Sequence, residues 1–347
     1  MKTSRRQFLS AWLLAKPGYK YEFPRDHFSH PGFRTEWWYY TGNLFTSTGR
    51  RFGFELTFFR QGLERARQSG IASRWRADDA WLAHLALSDF RSGSFLHYER
   101  LHRAGPGLAG ADATRALVWN GNWHAGPDRL QAVSEDFTLR LALQPLKPPV
   151  IHGQNGVSQK AGGEGKASHY VSLTRIAASG SLAMRDRNHS LSGLVWMDHE
   201  FFTHQLESGQ AGWDWLSIQL DNNTELMIAR IRREDGSTDP HSHATFVDGQ
   251  GRGRHLESKE WTITPRNWWR NPATGTRYPV AWKIEVPPLH LSLDASTAMP
   301  QQELVSKSGA SPSYWEGAMD FQGTLGGTPI SGRGYLEMTG YAASIQF

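Results

Sequence analysis

Three ionisable residues in a row, Asp198-His199-Glu200, follow the apolar run Gly193-Leu194-Val195-Trp196-Met197 and precede Phe201-Phe202. Read as a strand, the stretch sends successive side chains to opposite faces. Trp196, Asp198 and Glu200 then share one face, and Val195, Met197, His199 and Phe201 share the other. The two carboxylates stand roughly 6.5–7 Å apart at the backbone, from a ~3.3 Å rise per residue. At that spacing each disturbs the other's titration, and burial would raise one towards neutrality, where general acid–base chemistry needs it. A solvated or salt-bridged strand end remains the plain alternative. His199 and His204 read His-Glu-x-x-x-His, one residue off the zinc-protease spacing, so a metal there would need ligands from elsewhere. The expectation is catalysis by Asp198, Glu200 and His199, with no metal and no cofactor.

Three further stretches carry candidate substrate-binding residues. In Arg34-Thr35-Glu36-Trp37-Trp38-Tyr39-Tyr40, Glu36, Trp38 and Tyr40 share one strand face, and Trp37 and Tyr39 the other. Aromatics on both faces predict burial on both sides, so Glu36 needs a partner: Arg34 in a salt bridge, or a ligand in a pocket. In Gly212-Trp213-Asp214-Trp215, Asp214 lies between two indoles, which suits a hydrogen-bonded core acid better than a pocket acid. In Tyr314-Trp315-Glu316-Gly317, Tyr314 and Glu316 share a face. His84, beside Leu82 and Ala86, reads as a buried, satisfied histidine or as a pocket residue. Trp196, Trp213, Asp214, Tyr314, Glu316 and His84 join Glu36, Trp38 and Tyr40 as the expected binding set. His241-x-His243 lies in a polar stretch and is expected at the surface. No Gly-x-Ser-x-Gly elbow and no phosphate-binding Gly-rich loop occurs, which argues against serine-hydrolase and nucleotide chemistry.

The elements that must hold these residues are strands. Phe52, Phe54, Leu56 and Phe58 alternate with Gly53, Glu55 and Thr57. Phe137 to Leu143, Trp215 to Asp221 and Trp282 to Val286 show the same period of two, the mark of a strand with one dry and one wet face. Ser47-Thr48-Gly49, Asp221-Asn222-Asn223 and Asp235-Gly236 predict hairpin turns. With 35 Gly, 17 Pro and 15 Trp in 347 residues, the chain is expected to be all-β, as antiparallel barrels or sandwiches. The Pro/Gly-rich stretch 145–166 cannot be regular and reads as a functional or domain-joining loop. The expected division is a signal-like segment 1–20, one β-domain over 21–185 and a second over 186–347.

The absence of cysteine excludes disulfides and thiolate chemistry. Net charge is +5, from 38 basic and 33 acidic residues, too scattered for a nucleic-acid footprint. Ser4-Arg5-Arg6-Gln7-Phe8-Leu9-Ser10 resembles a twin-arginine export signal, shortened because only Ala11-Trp12-Leu13-Leu14-Ala15 follows as apolar stretch. A periplasmic or extracellular location is expected from it, with no transmembrane span and a loose association with membrane surfaces.

Four motifs in order resemble the hydroxyneurosporene synthase, or carotenoid 1,2-hydratase, family, which also contains bacterial predicted secreted hydrolases. They are His30-Pro31-Gly32-Phe33-Arg34-Thr35-Glu36-Trp37-Trp38-Tyr39-Tyr40-Thr41-Gly42, Trp196-Met197-Asp198-His199-Glu200-Phe201, Gly212-Trp213-Asp214-Trp215, and Tyr314-Trp315-Glu316-Gly317 with Gly334–Tyr341. The resemblance runs from about Phe23 to Tyr341. It implies two lipocalin-like β-domains packed together around a pocket involving both. It also implies that Asp198 protonates an isolated C=C bond of a hydrophobic substrate, isoprenoid-like or acyl. Related members perform other reactions, cyclisations included, so the substrate does not carry over. An enzyme of the hydratase or hydrolase kind is expected first, and a non-turnover carrier of a hydrophobic ligand second. A structural protein with these acids locked in salt bridges is the third reading.

Overall fold

The computed structural model describes residues 12–63, 77–105, 107–185, 187–204, 206–306, 309 and 312–343. The twin-arginine-like residues Ser4–Ser10 lie outside these. The first sheet begins with long hairpins, β1 (Thr35–Phe45), β2 (Arg51–Gly62), β3 (Asp79–Asp89) and β4 (Ser94–Arg103). Shorter strands follow: β5 (Ala109–Ala111), β6 (Val118–Asn120), β7 (Trp123–Ala125), β8 (Arg129–Val133) and β9 (Phe137–Pro145). β10 (Val150–Ile151), β11 (Ser158–Gln159), β12 (Ala167–Met184) and β13 (Arg187–Phe202) complete it. The spatial order is β4-β3-β2-β1-β13-β12-β9-β8-β7-β6-β5, with β10 and β11 on β12.

This sheet curls until its inner faces share one core, in which Phe52, Phe54, Leu56 and Phe58 meet Leu139, Leu141, Val195 and Met197. Side chains draw its two ends together. Arg100 on β4 donates to the carbonyls of Asn120 at 3.0 Å and Val133 at 3.1 Å, and Asn120 donates to the carbonyl of Trp81 at 3.2 Å.

The second sheet comprises β14 (Gln210–Leu220), β15 (Glu225–Arg233), β16 (His243–Val247), β17 (Gly253–Glu257) and β18 (Thr262–Arg270). It continues with β19 (Arg277–Val286), β20 (Leu291–Ser296), β21 (Glu303–Leu304), β22 (Tyr314–Leu325) and β23 (Thr328–Met338). Its order is β17-β16-β15-β14-β23-β22-β20-β19-β18, again curled around its own apolar core, with β21 on β22. All pairings are antiparallel among the described residues, so the all-β, two-sheet lipocalin-like expectation holds.

The division between the sheets falls after Phe202, not at 185/186. β13 pairs with β1 and β12 and therefore belongs to the first sheet. Met184 at the end of β12 pairs with Arg187 at the start of β13, so the chain stays within one hairpin there. The described part of the signal-like segment packs on the first sheet: Leu13 donates to the carbonyl of Gly32 at 2.9 Å, and Ala15 is buried with Phe33 and Phe201.

The two sheets meet through the outer faces of β1, β2, β12 and β13. There Tyr39, Tyr170 and Trp196 pack with Trp215, Met227, Ala229, Ala318 and Tyr335. This contact corrects the expectation of one wet face on two strands. Glu55 and Thr57 on β2, and Trp215, Ser217 and Gln219 on β14, are buried as fully as the core residues they alternate with. On β9 the expectation holds, because Arg140 and Ala142 are exposed there.

Candidate active site

The cleft between the sheets is lined from the first sheet by Trp37, Tyr39, Thr57, Phe59, Tyr170, Asp198 and Glu200, and from the second by Trp213, Trp215, Ala229, Ile231, Tyr314 and Glu337. Lys160, from the 145–166 stretch, and Leu206 close it. Its free volume is about 90 Å³.

Asp198 is at its centre. The Tyr170 hydroxyl donates to its Oδ2 at 2.7 Å, Trp196 Nε1 donates to Oδ1 at 2.7 Å, and the Ser172 hydroxyl donates to Oδ1 as well. Burial nevertheless pushes the carboxyl up to about 7, outweighing these donors, and the charge of Glu200 adds to the rise. Trp215 Nε1 supports Tyr170 Oη at 2.9 Å, and His152 Nε2 lies 2.7 Å from Ser172 Oγ. Burial pushes His152 down to about 3, so its ring is neutral.

Glu200, two residues on and on the same face, meets the Lys160 ammonium at 2.9 Å and the Ser168 hydroxyl. Glu337, on β23 of the second sheet, lines the same cleft. Burial pushes it up to about 7, the Trp213 hydrogen bond opposes the rise, and Asp198 and Glu200 add to it. Behind these stand two more carboxyls. Glu316, directly across from Glu337 on the neighbouring strand, accepts from Tyr39 Oη at 2.6 Å and is held well above the usual range, first by burial and then by Glu337 and Glu55. Glu55 is pushed up to about 8 by burial.

The expected residues divide between two sides of β1 and β13. Asp198, Glu200, Trp213 and Tyr314 line the cleft. Trp196 and Glu316 stand directly behind it on Asp198 and Tyr39, and His84 holds Tyr314 Oη at 2.7 Å from Nδ1.

His199, Glu36, Trp38 and Tyr40 do not belong to this site. The alternation of β1 and β13 turns them to the inner face of the first sheet, and their neighbours Trp37 and Tyr39 line the cleft instead. Glu36 finds its partner in neither Arg34 nor a ligand. It accepts from the His30 backbone at 2.9 Å and meets His30 Nδ1 at 3.0 Å, His199 Nε2 at 2.9 Å and Arg60 Nε at 3.3 Å. Burial alone would raise the Glu36 carboxyl, but the hydrogen bonds from His199 and His30 outweigh it and hold it below the usual carboxylate range. Among the described residues, His30, Glu36 and His199 form the group whose geometry could take a metal ion. The Arg60 guanidinium and a backbone N–H already satisfy that carboxylate, so the donor set is that of a buried ion network.

Asp214 faces away from both indoles and binds Arg232 at 2.7 Å, Arg230 at 3.0 Å and Tyr341 at 3.0 Å, a structural acid. His204 is exposed, so it shares no site with buried His199. His243 is not at the surface but buried between the sheets, 2.6 Å from Ser158 Oγ.

Residue-by-residue reading missed Lys160, Tyr170, Ser172, Glu337, Trp37 and Tyr39. The Gly334–Met338 motif contained Glu337, and its alternation with Leu336 and Met338 was the available signal. Nothing in the sequence marked Lys160.

The AttH-like family description matches residues 14–341. The chain belongs to this family. The AttH protein NE1406 of Nitrosomonas europaea is 36% identical; the superposition covers 94% of this chain and 98% of that one, with a TM-score of 0.83. Kievitone hydratase from Nectria haematococca, 13% identical, shares the fold over 96% of this AttH-like chain and 99% of its own, with a TM-score of 0.72. The dehydratase asqC of Emericella nidulans is 23% identical over 262 residues, 71% of this chain and 73% of its own. No helix among the described residues is long and apolar enough to cross a membrane.

Proposed function

We propose that this AttH-like chain is an enzyme that adds water to, or removes it from, a carbon–carbon bond of a hydrophobic small molecule held in the cleft. The observation that carries the reading is a pair of carboxyls, Asp198 and Glu337, that line one buried cleft and both titrate at about 7. A buried carboxyl raised to about 7 exchanges its proton near neutral pH, so one of the two can donate while the other accepts.

In hydration, Asp198 delivers its proton to one alkene carbon and a cation develops on the other. The faces of Trp37, Trp213 and Trp215 are available to stabilise it. Glu337 takes a proton from the attacking water, whose oxygen closes the new C–O bond. Dehydration runs the same transfers in reverse. The Glu200–Lys160 ion pair fixes the field at one side of the cleft and offers hydrogen bonds to water. The activities of kievitone hydratase and of the dehydratase asqC support this class of reaction. The aromatic and aliphatic lining of the cleft suits a hydrophobic substrate, isoprenoid-like or acyl.

The test is native mass spectrometry of small molecules that co-purify with wild type and with Asp198→Asn, followed by turnover of the recovered compound in ¹⁸O-water. Asp198→Asn is expected to accumulate an unsaturated or hydroxylated apolar compound. Wild type is expected to convert it with gain or loss of one water, and the variant to be slower by roughly 10²–10⁴-fold. Equal turnover by both proteins would remove Asp198 from the reaction.

A further inference from the structure

The larger empty space is not the cleft. Inside the first curled sheet lies a separate cavity of about 400 Å³, against about 90 Å³ in the cleft. That volume is in the range of small-molecule sites. β1 and β13 are the wall between the two spaces. Tyr39 and Asp198 face the cleft, and Trp38, Tyr40 and Met197, one residue away in each strand, face the cavity. The lining is apolar, with Leu143, Leu173 and Ile176 among its walls and Phe23, Pro24 and His27 at one end.

A few polar groups face it, and the Tyr40 hydroxyl and His27 Nδ1 have no partner among the described residues. Tyr40 is 5% exposed, and its hydroxyl makes no hydrogen bond to any described residue. The Tyr40 hydroxyl is raised above its ordinary value by burial alone. His27 Nδ1 is buried and unpartnered, and burial together with the nearby His199 pushes that ring down to about 4, so it is neutral. The one ammonium at the lining, Lys147, is spent on Glu225 at 2.8 Å and on the carbonyls of Asn223 and Asp248. The Tyr40 hydroxyl opens to the cavity, where a ligand oxygen would give it the hydrogen bond that no described residue supplies. Water is a poor occupant, because it wants two to four polar partners and these walls offer few.

We propose that this cavity is a second ligand site, taking a neutral, elongated apolar molecule with one hydrogen-bonding oxygen that meets Tyr40. Among the described residues at the lining, an anionic head group has no free cation to pair with. A pure hydrocarbon would fill the space and leave the Tyr40 hydroxyl unpaired. The site is independent of the chemistry at Asp198, because the full thickness of the sheet separates them.

The test is calorimetric titration of the full chain near pH 7.5 with three ten-carbon probes: geraniol, its carboxylate geranate, and the hydrocarbon myrcene. Geraniol is expected to bind with a stoichiometry of about one, and geranate and myrcene more weakly. Tyr40→Phe should weaken geraniol by about fivefold, the worth of one neutral hydrogen bond, and leave myrcene unchanged. Ala125→Phe, which fills the cavity, should abolish binding. If that variant misfolds, Ala116→Trp at the rim gives the same readout without disturbing the core. Asp198→Asn should bind geraniol as wild type does. The proposal is overturned if wild type binds none of the probes, or if geranate binds as tightly as geraniol. It is equally overturned if geraniol binding ignores both Tyr40→Phe and the filling variant, since the ligand then sits elsewhere. Neither result bears on Asp198, so this proposal and the catalytic one fail separately.

Discussion

Asp198 holds its proton because the fold removes water from it faster than it supplies donors. Tyr170, Ser172 and Trp196 all favour the charged form, yet burial leaves the carboxyl at about 7, against an ordinary 3.8. This has a stability consequence with a definite sign. Between the ordinary value and about 7, the unfolded chain has lost the proton that the folded protein keeps. Folding therefore binds a proton in that window, and stability falls as pH rises through it. Replacing Asp198 by Asn removes the titration. Thermal melts from pH 4 to pH 8 should show wild type and Asp198→Asn nearly level at the acid end. The variant should gain ground steadily to neutrality, by an amount on the order of a few kcal/mol. Glu337 and Glu55, raised to about 7 and about 8, act in the same direction and leave the variant some slope of its own. Parallel melting curves would mean that Asp198 is ionised in the folded protein throughout.

At the scale of the element, β1 and β13 do the positioning, since each carries one residue set to the cleft and another to the barrel interior. The alternation of Glu36 to Tyr40 and of Trp196 to Glu200 is legible in the sequence, and so is the burial of both β1 faces. What the letters do not carry is which face meets the second sheet. That depends on a long-range contact, and so Trp38, Tyr40 and His199 read as site residues while Trp37 and Tyr39 did not. Lys160 was illegible for a similar reason: it sits in a Gly-rich segment whose path is set by the sheets it bridges. For Asp214 the core-acid reading agrees with its bonds to Arg230, Arg232 and Tyr341, and its place in the expected binding set does not. The closeness of the sheets is itself testable. A Cβ on Gly53 would stand 2.9 Å from Ala318 Cβ and 2.9 Å from Tyr335 Oη. Gly53→Val should push β2 from the second sheet and cost about 1–3 kcal/mol in denaturant unfolding. It should do so although valine favours strands. An unchanged or raised midpoint would show that the sheets can part at little cost.

At the scale of the molecule, the two curled sheets have separate apolar cores, and the sequence predicts two domains packed together. The contact between them binds their unfolding together. Glu225, fully buried on the second sheet, is neutralised by Lys147 at 2.8 Å and Arg175 at 2.5 Å, both from the first half of the chain. Gln219 reaches across to the carbonyls of Thr174 at 2.8 Å and Val195 at 3.1 Å. Trp215 bonds Tyr170, and Tyr39 bonds Glu316. Parting the sheets would break this buried ion network and expose the aromatic layer to water, at about 25 cal/mol per Å² of apolar surface. A half-folded state therefore carries most of the penalty of the unfolded one with little of its entropy. The full chain is expected to unfold in one calorimetric transition, with the ratio of calorimetric to van't Hoff enthalpy near one. In Glu225→Gln, which leaves Lys147 and Arg175 facing a neutral amide, the transition should move to lower temperature and broaden as the sheets uncouple. Two resolved transitions in wild type would show that each sheet holds itself, and the cleft would then be a contact between independent parts rather than a space built by one cooperative fold.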